Sequence, residues 1–471
     1  MRGISIVIYF FLISYFTYGQ DSKFYANDSS IYAIGELIEG KKEGKWQYYD
    51  SLDRKIEEGE FKNDKRIGTW RVFYPSGKLK VKVEYDDNEA GEYLEYFSTG
   101  QKRVKGQFKD GKKDGQWKTY RLNGTLDTSI EYESGTKSGL SRTYDFYGDI
   151  IVEAQYKDDT THGYWKEYNS ARRIELEAYY TNGKPDKTWR EYYFLGGLKS
   201  VSHFKLGVPD STWKDYYENG KVRSSKAYDD GKQVGTWESF YENGKKSEIV
   251  NYKNGWLEGL YQSFHSNSKL KEQGSYANGL KVGIWRSFEK KGALLSEGAY
   301  RDGKEQGQWF YYYDNGQLRS VGVFNDGFEN GRWGTFHSNG QLMQEETWKN
   351  GKLWNVTPFI TSSGDSLSSG NLKNGYGQKI NYYQSGDKEI VCEFKNGIPD
   401  GKWTYYYQNG KVAETGQFIN GLKEGQWTFY HTNGKKEAEG MFKSDVKKGV
   451  WSYYYRNGEL EEKIDHDKTK E

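Results

Sequence analysis

Cysteine is almost missing from this chain: Cys392 is the single one in 471 residues. A lone thiol excludes an internal disulfide, so stability must come from elsewhere. Aliphatic material is also thin, since hydrophobic residues make up 35% of the chain while 17% of all residues are aromatic. That balance excludes a thick aliphatic core and equally excludes disorder, which is poor in rings. Neither sign of charge dominates, with 69 basic against 67 acidic residues. No whole-molecule field is therefore present to draw in nucleic acid or an anionic membrane. The one marked apolar run, Ile4 to Phe16, is shorter than the ~20 residues a bilayer needs. Preceded by Arg2 and followed by small or polar residues, it reads as a secretory signal in residues 1–19, cleaved near Gly19. The expected location is accordingly outside the cytoplasm: periplasm, cell surface or medium.

What the chain has instead is repetition. "GKWTYYYQNGKVAETGQF" (401–418) returns 24 residues later as "GQWTFYHTNGKKEAEGMF" (425–442). With the tryptophan of each copy as position 0, 18 copies run from Trp46 to Trp451. Position +3 is aromatic in 17 of the 18 and +15 in 16 of 17, while glycine fills −2 in 15 copies and +7 in 15. Such strictness sets the architecture before any motif does.

Each copy holds two short runs rich in aromatic and β-branched residues, separated alternately by x-Asn-Gly-x and by a looser Asn/Asp-Gly-Lys stretch. Asn-Gly at +6 and +7 predicts a two-residue type I′ hairpin turn, and the second connection is expected to be the longer one. Pro185, Pro209 and Pro399 at −4 are expected to end strands. With that turn, position 0 faces +13 and −2 faces +15, so every ring is expected to lie over a glycine: Trp285, Trp309, Trp403 and Trp427 with Gly298, Gly322, Gly416 and Gly440 as the structural set. Cys392 at +13 occupies a small-residue slot, as a buried inert thiol. The other face is mostly polar, with the +3 rings recurring in it.

The units "EGEFKNDKRIGTWRVFYPSG" (58–77) and "SEGAYRDGKEQGQWFYYYDNG" (296–316) resemble the membrane occupation and recognition nexus (MORN) repeat in its longer bacterial variant. The resemblance implies an all-β fold, an elongated single twisted antiparallel sheet of stacked β-hairpins with about 18 repeats. It also implies protein contacts, sometimes lipid contacts, and no catalysis; an antitoxin-like component is an alternative that the same resemblance carries. The expected organisation is a signal at 1–19, a lead-in at 20–35, a repeat array at 36–347, an irregular copy and possible hinge at 348–378, a second array at 379–460 and a charged tail at 461–471.

A search for chemistry finds none. No Ser-His-Asp set, P-loop or HExxH motif is present. His265, His337 and His431 all sit at +4, where other copies carry tyrosine, and copies three repeats apart lie ~30 Å apart in a meander, too far to share a metal. No catalytic residue, metal or cofactor is expected. The expected function is a non-enzymatic exported repeat scaffold that binds a protein or cell-envelope partner along an aromatic-lined face. The candidate partner-binding residues are Tyr216, Phe240, Phe264, Phe288 and Tyr312, in five adjacent well-formed copies. A carbohydrate- or peptidoglycan-binding module is the alternative, nucleic acid is not expected, and membrane contact is left open.

Overall fold

The computed structural model describes residues 22–25 and 31–468, so the signal assigned to residues 1–19 lies outside the described residues. The chain divides after Lys232 into two compact units. In each, strands follow one another as antiparallel neighbours, and no helix occurs among the described residues. In the first unit, Glu89–Tyr96, Lys102–Lys109 and Lys112–Tyr120 pair in that order. In the second, the same pattern runs through Leu280–Phe288, Leu294–Arg301, Lys304–Tyr312 and Leu318–Asn325. The 32-stranded sheet is not closed: among the described residues its first strand, Ser22–Tyr25, pairs only with Ile31–Ile38, and Lys352–Val356 pairs only with Leu342–Lys349. Ser22–Tyr25 in the lead-in and Leu460–Asp465 across the start of the charged tail are strands paired to their neighbours in the array.

The copy at Trp309 shows why Asn-Gly does not make the turn expected of it. The amide of Gly316 donates to the carbonyl of Tyr313 at 2.8 Å, and that of Tyr313 to the carbonyl of Gln317 at 2.8 Å. Gly316 has φ +81° but Asn315 does not have a positive φ. This is a three-residue loop closed by a left-handed glycine, followed by a bulge at Arg319, since Tyr312 faces Leu318 and Tyr311 faces Ser320. The two-residue turn lies at the other connection, where Asp302 (φ +50°) and Gly303 (φ +79°) join Arg301 to its partner Lys304. The assignments of the two connections are therefore exchanged. Register survives because the bulge restores the count: Trp309 faces Gly322, and Trp403 faces Gly416.

A second irregularity lies between copies. Gly298 faces Trp309 but Ala299 faces Gln306, so Gly307 and Gln308 are extra on their strand. Gly307 has φ +71° and open space around it. Gly307 at −2 is therefore a bulge residue in the left-handed region; it faces Phe324 at +15, as expected, but that ring does not cover it. Lys187 and Ser211, which replace it in two copies, hold φ +59° all the same. Pro185 and Pro209 end the short strands Lys184–Pro185 and Val208–Pro209, as expected, whereas Pro399 is the second residue within the strand Ile398–Tyr406. Backbone amides at −4 elsewhere donate to a turn carboxylate, as Lys42 does to Asp64 at 2.8 Å, so proline there gives up only a side-chain bond.

The core is a row of rings along one face. Trp309 lies over Gly298 of the preceding copy, where an added Cβ would fall inside the indole, rather than over its hairpin partner Gly322. Trp333 covers Gly322, Trp427 covers Gly416 and Trp451 covers Gly440, so the coverage is shifted by one strand from that expected. Trp403 instead pairs across from Cys392. The Trp309 indole donates to the carbonyl of Ala299 at 3.2 Å, at the step in the ladder, which satisfies the buried N–H. Tyr300 and Phe324 flank that ring edge-on, with centroids 5.2 and 6.0 Å away. A cation from −4 closes the row on the solvent side, as Lys281 does 3.7 Å from the Trp285 centroid and Lys423 3.9 Å from that of Trp427.

In the second unit the ladder changes character at 348–378. Lys352–Val356 pairs with Leu342–Lys349, Phe359–Ile360 forms a separate two-stranded piece with Ser366–Leu367, and an eight-stranded sheet begins at Gly377–Tyr382. Leu353, Phe359 and Leu372 are buried there.

Candidate functional site

The five +3 rings are held by their neighbours in a uniform way. Each stands where its strand meets the bulge of the next: Tyr216 faces Val222, Phe240 faces Lys246, Phe264 faces Leu270, Phe288 faces Leu294 and Tyr312 faces Leu318. All five are half-buried. Tyr216 belongs to the first unit and the other four to the second. Burial, with the Glu297 charge added, pushes the Tyr312 phenol up.

The backbone at Tyr216, Phe264 and Phe288 is clamped from the preceding copy by the residue at +4. The Tyr193 hydroxyl donates to the carbonyl of Tyr216 at 2.6 Å, Tyr241 to that of Phe264 at 2.7 Å, and Tyr313 to that of Phe336 at 2.8 Å. His265, His337 and His431 do the same through Nε2, to Phe288, Ile360 and Tyr454 at 2.9, 2.7 and 2.9 Å. A carbonyl accepts only, so these rings carry their proton on Nε2. Beside this clasp, Asn315 Nδ2 donates to the carbonyl of Ser338 at 2.9 Å and its Oδ1 accepts from the Gln317 amide at 3.0 Å. Sequence reasoning placed the +4 histidines with the tyrosines but missed what both do. Their recurrence one residue after the +3 ring was the available signal.

Strand alternation puts −1, +1 and +3 on one face, opposite the tryptophan row. In two adjacent copies of the second unit this face is unusually apolar. Leu260 and Ile284, at −1, are 48% and 55% exposed beside the strand positions of Phe264 and Phe288. Arg286, between Ile284 and Phe288 along their strand, is ion-paired with Glu297 on the next strand. The arrangement is an apolar patch beside one neutralised charge pair, suited to covering by another surface rather than to bond chemistry. Among the described residues no group of three His, Cys, Asp or Glu is placed to hold a metal ion.

The family model described as "MORN repeat variant" matches nine segments, residues 66–87, 209–230, 233–254, 257–278, 305–326, 329–350, 399–420, 423–444 and 447–468. This is a MORN repeat protein. Each matched segment of the MORN array spans the strand carrying a position-0 residue and the strand that returns beside it. No curated protein matches the chain. Among solved structures, "Crystal Structure of TcdB2-TccC3" aligns at 11% identity over 93% of this chain and 33% of that one, with a TM-score of 0.14. "Structure of Photorhabdus luminescens Tc holotoxin pore, Mutation TccC3-D651A" aligns at 12% identity over 91% and 30%, with a TM-score of 0.15. The chain thus spans about a third of those proteins' length, and similarity at such scores carries no argument about function.

Proposed function

We propose that this MORN array is an exported, non-enzymatic scaffold that captures a protein partner of the cell envelope on the face opposite its tryptophan row. One observation carries the reading: Leu260 and Ile284 are exposed on the same face as Phe264 and Phe288, in adjacent copies whose backbone is clamped at every +3 carbonyl. A rigid apolar surface loses little entropy on being covered, and rings supply large contact area, so such surfaces supply binding hot spots. Export rests on residues 1–19 alone.

The test is capture from an envelope extract by the full chain, with partners identified by mass spectrometry. Phe264→Ser with Phe288→Ser is expected to leave the melting transition within a few degrees and to lose the captured protein. Equal capture by this double variant moves the binding face elsewhere; early unfolding makes the +3 rings part of the core. For export, residues 1–19 fused to a reporter active only outside the cytoplasm are expected to give signal, and an inactive fusion overturns that part.

A further inference from the structure

One copy of the first unit is built differently on the same face. Tyr164 is the sole aromatic residue at −1 among the 18 copies, and it is 63% exposed. Its edge meets Tyr179 at 5.2 Å between centroids and 90° between planes, while Lys187 sits 3.6 Å from the centre of the Tyr179 ring. Tyr179 is thus occupied, and Tyr164 is held by one edge with most of its surface in solvent. Its amide donates to Gln155 Oε1 at 2.9 Å, which fixes that side chain beside it.

Alongside runs a row of alternating charge. Arg142 faces Glu153, Glu153 faces Lys166, Lys166 faces Glu177 and Glu177 faces Arg190, each directly across the ladder. Arg142 pairs with Glu153 at 2.7 Å and Lys166 with Glu177 at 3.6 Å. The two carboxylates are engaged further by the hydroxyls of Tyr168 and Tyr192, at 3.0 and 2.8 Å. Arg190, the fifth member, next faces Val201 and is exposed. Its side chain makes no ion pair or hydrogen bond among the described residues. Three cations against two acids leave one positive charge over, at the end of the row.

Between the row and Tyr164 lies a groove of about 360 Å³, lined among others by Leu140, Gln155, Tyr164, Thr188 and Arg190. Its size falls within the ~300–1,000 Å³ of small-ligand sites. We infer that this groove is a subsite for an acidic oligosaccharide, with a sugar ring lying on Tyr164 and its carboxylate on Arg190. A pyranose presents C–H bonds to the electron-rich ring face, and the guanidinium fork matches a carboxylate. The Gln155 amide nitrogen is left to donate to a sugar hydroxyl. This site and ligand class differ from those of the Phe264–Phe288 patch, so either assignment can fail alone.

Calorimetric titration of the full chain with tetragalacturonate and with uncharged cellotetraose tests it. The uronate is expected to bind about tenfold more tightly than the neutral sugar. Tyr164→Ala is expected to weaken both by about tenfold, and Arg190→Gln to weaken the uronate alone, at an unchanged melting transition because both side chains are exposed. Binding of neither sugar overturns the inference. So does a Tyr164→Ala chain that binds like the parent, an Arg190→Gln chain that keeps the uronate preference, or tetraglutamate binding as tightly as the uronate.

Discussion

Within the second unit, the copies around Trp285, Trp309 and Trp333 and the segment 348–378 solve one problem with different materials. In the regular copies a tryptophan bridges to the glycine behind it and passes its N–H to a carbonyl at the step in the ladder. Position 0 is Thr357 in the irregular segment and Lys379 immediately after it, so neither supplies a ring. Lys379 is ion-paired with Glu346, at 10% and 17% side-chain exposure, and Glu346 holds the +13 position that carries glycine in the best copies. Gln344 Nε2 donates to the hydroxyl of buried Ser369 at 2.6 Å and to the carbonyl of Thr357 at 2.9 Å. An aromatic row can therefore be interrupted if the gap is filled by paired charge and satisfied polar groups. The two solutions differ in how they fail: a ring fails by leaving a void, a buried ion pair by leaving a charge alone.

The largest effect is expected in the ring row. Trp309→Ala removes a buried indole and should cost about 3–5 kcal/mol, read as early loss of hydrogen-exchange protection in Leu294–Arg301 and Leu318–Asn325. Retained protection in those strands would show that the row is not what holds neighbouring copies together. Next, Glu346→Gln strands Lys379 and should cost about 3 kcal/mol by urea unfolding, while Glu346→Leu with Lys379→Met should recover most of it. If the double variant is as unstable as the single one, the segment depends on the charges themselves.

Smaller changes sharpen the regular side. Lys187→Gly and Ser211→Gly put glycine where φ is +59° and should each raise stability by about 1 kcal/mol, whereas Gly331→Ala, at φ +73°, should lower it by a similar amount. An unchanged melting temperature in all three would remove the bulge argument for position −2. The smallest effect belongs to Cys392, which faces both Lys379 and Trp403. Burial pushes its thiol up to about 12, so it stays protonated at pH 8 and reacts only when the site opens. Stability linked to this group is intact below the ordinary thiol range and falls as pH rises toward 12, because the unfolded chain ionises first. Alkylation at pH 8 should run at the local opening rate, and Cys392→Ala should cost about 1 kcal/mol, since Ala154 and Ala178 fill the same position. Rapid labelling of the folded chain would contradict this.

Strand content, antiparallel order and the pairing of Trp403 with Gly416 were legible from the period and the alternation alone. The turns were not, because Asn315-Gly316 and Asp302-Gly303 look alike as dipeptides while their geometries differ. Asn315 is held by the carbonyl of Ser338 in the following copy, a tertiary contact that no local pattern reveals. The shift of each indole onto the glycine behind it escaped for a related reason: register places Gly298 between Trp285 and Trp309 without saying which ring leans over it. On the polar face, the +3 rings could be found from the pattern but not the exposed Leu260 and Ile284 beside them. A single departure at −1 carries no weight until strands are laid side by side.

The backward lean of each tryptophan also bears on how the chain is made. Trp309 finds its glycine and its carbonyl acceptor at Gly298 and Ala299, ten or eleven residues earlier, and the same interval recurs at Trp70, Trp117, Trp285, Trp427 and Trp451. Everything the indole needs has therefore already left the ribosome when the indole itself emerges. Loop closure over so short a stretch is quick, and contacts this local favour fast folding. Each new hairpin docks on one already formed, so the array can grow at the rate it is delivered, without a long interval in which its rings stand exposed to aggregation.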